Sequence, residues 1–187
     1  HTKGGLGSIT QKMGDIAEEL GVDIRLNEPV SEFLFEGKKV VGAKTDMGSY
    51  TADRFVMNVD FATGMKGLIP DDLRRKWSDK KLDEKSYSCS TYMLYLGVDK
   101  LYDTPHHQIY AAKDYQKNLK EVTENKVTWD DPSVYVQNAC VTDPSMAPEG
   151  HLTIYVLVPA SSTNPDIVWD DIKHEYMDVI LKQMEKL

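Results

Sequence analysis

Ser86-Tyr87-Ser88-Cys89-Ser90-Thr91-Tyr92-Met93-Leu94-Tyr95-Leu96-Gly97-Val98 is the longest strand-like run in the chain. Its side chains fall into two sets at period two. Tyr87, Cys89, Thr91, Met93 and Tyr95 take one face, and Ser88, Ser90, Tyr92, Leu94 and Leu96 the other. Both sets can be buried in large part, which predicts a strand lying between a core and a second layer. Around it, His107–Ala111, Val134–Val136 and Thr153–Val158 are shorter strands rich in β-branched and aromatic residues. Asp114–Glu124 and Trp169–Leu187 carry helical spacing, the latter through Ile172, Tyr176, Val179, Ile180 and Met184. Strands and helices come in runs rather than in strict alternation. That order predicts an α+β architecture built on a mixed sheet.

Upstream the pattern is helix, strand, hairpin, buried strand. Ile9, Met13, Ile16, Ala17 and Leu20 recur at three- and four-residue spacing, with Ser8 as N-cap and Gly21 as the C′ residue. Val22–Leu26 alternates as a half-buried strand and Asn27-Glu28-Pro29 breaks it. Val30–Glu36 and Lys39–Thr45 form a hairpin about Gly37-Lys38. Ser49–Ala52 follows a turn at Asp46-Met47-Gly48, and Arg54–Val59 is nearly continuous and apolar, as in a strand covered on both faces. Asp60–Leu68 is a short helix, another starts at Asp71 or Asp72, and Arg74–Lys85 reads as a solvated, charged helix face.

At 187 residues the chain can bury a core without staples. Its 22 basic residues against 30 acidic ones give a net charge of −8, which argues against a nucleic-acid backbone or an anionic membrane as the main partner, since both require a basic face. Cys89 and Cys140 are read as reduced thiols buried in strands, as in a cytoplasmic protein. No apolar run approaches the roughly 20 residues of a membrane helix. The start, His1-Thr2-Lys3-Gly4-Gly5, has neither a signal region nor an initiator Met, and the chain closes inside a helix, so both ends are expected to be cut.

Self-contained chemistry is scarce. His106-His107 beside Asp103 suggests a metal, but neighbours on a strand point to opposite faces and a zinc site needs four ligands; loop histidines are the simpler reading. Gly4-Gly5-Leu6-Gly7-Ser8 resembles a phosphate-cradling turn. No strand precedes it and no Lys-Ser/Thr follows, so helix-start glycines are favoured. There is no Gly-x-Ser-x-Gly elbow, and Asp71-Asp72 and Asp130-Asp131 suit helix and turn starts. What stands out is the aromatic and thioether content of the strands: Tyr92, Met93, Tyr95, Tyr110, Tyr135 and Tyr155. These residues serve either a packed core or an elongated apolar cavity.

Gly4-Gly5-Leu6-Gly7, a helix ending Glu18-Glu19-Leu20-Gly21, and Val22-Asp23-Ile24-Arg25-Leu26-Asn27-Glu28-Pro29-Val30 together resemble a segment of FAD-dependent amine oxidases and carotenoid desaturases. The hairpin and Arg54–Asp60 continue the likeness. Asn138–Gly150, with its Thr142-Asp143-Pro144-Ser145 loop, and Val156-Leu157-Val158-Pro159 are similar to the bacterial phytoene desaturases more particularly, as is Ser90–Val98. The resemblance covers nearly the whole chain.

It implies a flavoprotein whose FAD domain is assembled from separated pieces of chain. Residues 1–60 would be one piece of a discontinuous FAD-binding domain, and 61–187 a substrate-binding domain truncated at its C-terminal side. The family's Gly-x-Gly-x-x-Gly unit and its C-terminal flavin segment have no counterpart in this sequence, so the chain alone is expected to be inactive and to bind FAD poorly. The resemblance carries Val30 over as a residue whose backbone pairs with the adenine, and it carries over no catalytic residue. Tyr92, Met93, Leu94 and Tyr95 are the expected walls of a tunnel for a polyene or other isoprenoid chain, from which hydrogen would pass to the flavin. Such a substrate implies a protein peripheral to a membrane, held by apolar contacts. An amine oxidase or retinol saturase-like enzyme and a non-catalytic isoprenoid-binding module are the competing expectations. Apolar surface at Val56 and Val59, left open by the severed FAD piece, would favour weak self-association.

Overall fold

The computed structural model describes residues 2–162, 164 and 166–186. The chain forms two compact units, Gly14–Ser86 and His1–Met13 together with Tyr87–Leu187. The fold is α+β, with two separate sheets and helices.

Helix α1 (Gly7–Glu19) begins one residue before Ser8, whose hydroxyl donates to the Gly5 carbonyl at 2.8 Å instead of capping the helix. Its end follows the predicted pattern. Gly21, at φ +87°, lets its own N–H reach the Glu18 carbonyl and that of Val22 reach Ala17, a left-handed cap that a side chain at this position would oppose. The stripe Ile9, Met13, Ile16 and Leu20 is helical in its spacing, yet it faces solvent.

In the unit Gly14–Ser86, β1 (Glu32–Glu36), β2 (Lys39–Lys44) and β3 (Ser49–Thr51) form an antiparallel sheet in that order. The predicted hairpin has Glu36 opposite Lys39, and a bulge falls between Leu34 and Phe35. Two expected strands are absent. Val22–Leu26 and Arg54–Val59 have no ladder partner among the described residues, and Val56 is 94% exposed. Apolar alternation, or a continuous apolar run, defines a strand only where another edge is available to take its N–H and C=O groups. Helix α2 (Phe61–Leu68) is capped by Asp60, whose carboxylate accepts the Thr63 N–H at 2.9 Å. The charged run is not one solvated helix. Asp71–Leu73 is a single 3₁₀ turn and α3 covers only Asp79–Asp83, while Arg74 and Leu82 are buried.

In the other unit, β4 (Ser90–Val98), β5 (His107–Tyr110), β6 (Val134–Asn138) and β7 (Leu152–Ala160) make a sheet of order β4-β7-β6-β5. All three of its pairings are antiparallel, which corrects the expected mixed sheet. Parallel neighbours need long crossovers in a fixed sense, and here α4 (Tyr115–Thr123) joins strands that remain antiparallel. Leu94, Val134, Val136, Ile154, Val156 and Val158 meet Tyr176 and Ile180 of α5 (Trp169–Met184) in the core. The Tyr176 hydroxyl, in that core, pairs with Thr128 at 2.8 Å.

The thiols are placed otherwise than expected. Cys89 is exposed just before β4, and Cys140 is buried in a 3₁₀ turn, Ala139–Val141, rather than in a strand; both are free.

Candidate functional site

The four-stranded sheet has a second face, opposite α5, and cross-strand register fixes its membership. Tyr95 stands opposite Tyr155 and Met93 opposite Leu157. Gln137 stands opposite Tyr155 and Tyr135 opposite Leu157. Ile109 and His107 complete the row opposite Tyr135 and Gln137. Rings contact along it edge to face: Tyr95–Tyr155 at 5.4 Å and Tyr135–Tyr155 at 6.1 Å between centroids. Tyr95 and Ile109, on the two outer strands, are 73% and 75% exposed. At one end the apolar surface becomes polar. His107 Nδ1 lies 2.7 Å from the Tyr135 hydroxyl, and His106 Nε2 lies 3.0 Å from Gln137 Nε2. Burial, reinforced by Tyr155, raises the Tyr135 hydroxyl above the usual phenol range. Burial, then the neighbouring His107, lowers the His106 imidazole.

The tunnel residues expected from the sequence divide between the two faces. Tyr92 and Leu94 point to the core, where the Tyr92 ring packs against Tyr176 at 5.2 Å and its hydroxyl donates to the Lys173 carbonyl at 2.6 Å. Burial raises that hydroxyl's pKa. Met93 and Tyr95 lie on the open face. Tyr135 and Tyr155, noted only for their aromatic character, join that face together with Ile109 and Leu157. Alternation was visible for each strand, but the register linking one strand to the next is a tertiary fact. His107 lies on β5 and not in a loop. The His106 and His107 rings come within 4.2 Å because His106 precedes the strand. Among the described residues no group of His, Cys, Asp and Glu is arranged to hold a metal.

Val30 sits in the other unit, after a left-handed Asn27 at φ +56°. The loop before it is anchored through Glu28, whose Oε1 accepts from Thr45 and Tyr50 at 2.6 Å each. Those bonds, the Thr45 one first, hold the Glu28 carboxyl below its ordinary range. Arg25 adds a bond to the Tyr50 hydroxyl at 2.8 Å and lies over the Tyr50 ring. Ser31 N–H then joins the Lys44 carbonyl at 2.9 Å, while among the described residues the Val30 N–H and C=O have no backbone partner.

The glycine turn is different. Gly4 and Gly5 have φ of +81° and +80°, and Gly4 N–H donates to Asp143 Oδ2 at 2.9 Å. The anion at this turn is the chain's own carboxylate. A phosphate-cradling role is therefore not supported, in line with the reading of these residues as helix-start glycines.

The profile of the flavin-containing amine oxidoreductase family matches residues 2–166, and the chain belongs to that family. Its curated relatives include a 4,4'-diapolycopen-4-al dehydrogenase of Metabacillus indicus and proteins named as carotenoid desaturases, the latter in agreement with the resemblance read from the residues. It is 38% identical to a 4,4'-diapophytoene desaturase of Methylomonas sp over 96% of this chain and 36% of that protein. It is 36% identical to the all-trans-zeta-carotene desaturase of Myxococcus xanthus over all of this chain and 36% of the relative. A 4,4'-diapophytoene desaturase of Staphylococcus aureus (strain MRSA252) is 30% identical, with 97% and 38% covered. The chain thus spans a little over a third of the length of these relatives.

Proposed function

We propose that this chain supplies one piece of a discontinuous FAD-binding domain, residues 1–60, and a substrate-binding domain, residues 61–187, to an oxidoreductase that removes hydrogen from an isoprenoid or carotenoid chain. The observation that carries the reading is the open aromatic face of the four-stranded sheet, with Tyr95 and Ile109 solvent-facing at its two sides. A polyene is long, flat and apolar, and edge-to-face tyrosines with Met93 and Leu157 offer it a matching surface. FAD, when bound, supplies the acceptor for the hydride. The protein's part is to hold and orient the chain and to exclude water from it. Met93 and Tyr95 do so by contact, Tyr92 and Leu94 by supporting the strand from the core side, and Val30 presents its backbone to the adenine. The protein is cytoplasmic and peripheral to a membrane, where such substrates reside.

The test is the visible spectrum of the purified full-length gene product that contains this sequence, followed by anaerobic addition of a polyene substrate. A bound-flavin spectrum that bleaches on addition is the expected result. A protein that stays colourless after FAD is supplied would overturn the reading and leave an isoprenoid-binding module without catalysis. Bleaching by an amine, and not by a polyene, would move the substrate to the amine oxidase type.

A further inference from the structure

In the unit Gly14–Ser86 a groove of about 700 Å³ lies between the β1–β2 hairpin and the segment that follows α2. Phe35, Ile69 and Trp77 are among its apolar lining. Every charged residue lining it is basic: Lys38, Arg74, Arg75 and Lys76. In a chain of net charge −8 this is a local reversal of sign. Lys38, Arg75 and Lys76 are exposed and have no ion-pair partner among the described residues. Arg74 differs from them. Its side chain is only 2% exposed, it bonds Asp79 at 2.8 Å and the Trp77 carbonyl at 3.2 Å, and its Nε has no partner among the described residues.

We propose that this groove binds an anionic phospholipid at a bilayer surface, with the acyl chain against Phe35, Ile69 and Trp77 and the phosphate among Lys38, Arg75 and Lys76. Charge complementarity selects the occupant. Three unpaired cations around an apolar lining match a headgroup joined to a hydrocarbon chain, whereas a neutral isoprenoid would leave all three unanswered. Exposed basic residues beside a tryptophan also suit the headgroup depth of a leaflet. The apolar anchoring expected from net charge is thereby replaced by a mixed contact. The proposal does not depend on the flavin reading and shares with it only the membrane surface.

The test is co-sedimentation of the full-length gene product with phosphatidylcholine vesicles, with and without phosphatidylglycerol. Binding should require phosphatidylglycerol and weaken as salt rises. Each basic residue near an anionic leaflet is worth about fivefold in partition, so K38Q/R75Q/K76Q should lose on the order of a hundredfold. Exposed, unpaired side chains can be changed without unfolding the unit, which an unaltered circular dichroism spectrum would verify. A charge-matched control, K113Q/K120Q/K182Q, should keep the parent partition. Equal loss in both triple variants, or an unchanged K38Q/R75Q/K76Q protein, overturns the groove as the site. Equal binding to neutral vesicles overturns it while leaving peripheral association intact. Binding of dodecyl phosphate in solution without any vesicle binding overturns the bilayer as the source of the ligand.

Discussion

The Gly4 N–H donates to Asp143 Oδ2 at 2.9 Å, joining residues 139 apart in sequence. Gly4 belongs to the glycine turn before α1, and Asp143 to the Thr-Asp-Pro-Ser loop. The same carboxylate accepts the Ser145 N–H at 3.1 Å and hydroxyl at 2.6 Å through its other oxygen. The two motifs that carry the family resemblance are thus one structural feature. Gly5 shows how tight it is, because a Cβ there would lie 3.3 Å from Met146 Cε.

That relationship gives a first prediction. The Gly4 bond, then Ser145, lowers the Asp143 carboxyl below its ordinary value. A carboxyl depressed in the folded state adds stability above its unfolded pKa, about 3.9, and loses it as pH falls through the folded value. Asp143→Ala should accelerate amide exchange over residues 4–13 at neutral pH. Parent and variant should converge in strongly acid solution. Identical protection at neutral pH would show that the bond does not hold the turn.

A second carboxylate makes the acid limit quantitative. Burial by itself would raise Asp131, but hydrogen bonds from Gln183 at 2.6 Å, the Lys113 N–H at 2.7 Å and Tyr110 at 2.9 Å, with Lys186 nearby, hold it at about 2. Between an unfolded value of about 3.9 and this one, the linked stability is about 2.6 kcal/mol at neutral pH, lost as pH falls from about 4 towards 2. Asp131→Ala should therefore shift the urea midpoint strongly at pH 7 and little at the acid end. A shift of the same size at both ends would remove the electrostatic explanation.

Adjacent tyrosines on β4 should fail in different ways. Tyr92→Phe removes the donor to the Lys173 carbonyl in a packed setting and should cost about 1 kcal/mol of stability. Tyr95→Ala, on the open face, should leave unfolding nearly unchanged. In the full-length protein it should raise KM for the polyene more than it lowers kcat. If Tyr95→Ala were the destabilising variant and Tyr92→Phe the one affecting KM, the two faces would be wrongly assigned.

At Val30 the backbone and not the side chain is the proposed contact. Val30→Ala should then keep the flavin content of the full-length protein, and Val30→Pro, which removes the N–H, should lower it. The absorbance ratio of flavin to protein reads both. Equal loss in the two variants would mean that the side chain is what matters.

Much of the architecture is legible in the sequence. The Gly21 cap, the Gly37 hairpin, the strands β4 and β7 and the helix α5 are each encoded by a period or a turn residue acting within a few positions. Val22–Leu26 alternates and Arg54–Val59 is continuously apolar, but either pattern reports only which residues can be buried, while a ladder also requires a partner edge. Arg74 reads as part of a solvated face in the sequence because its burial depends on Asp71 and Asp79 folding back around it.

Most of the elements, the α+β class and the family are written along the chain, since these rest on local spacing and residue identity. Long-range packing alone sets which face of β4 meets α5, that Tyr95, Tyr155 and Tyr135 form one row, and that the glycine turn holds Asp143. Those outcomes depend on cross-strand register and on contacts between distant residues. A strand's period of two defines two faces but does not say which one the rest of the chain will cover.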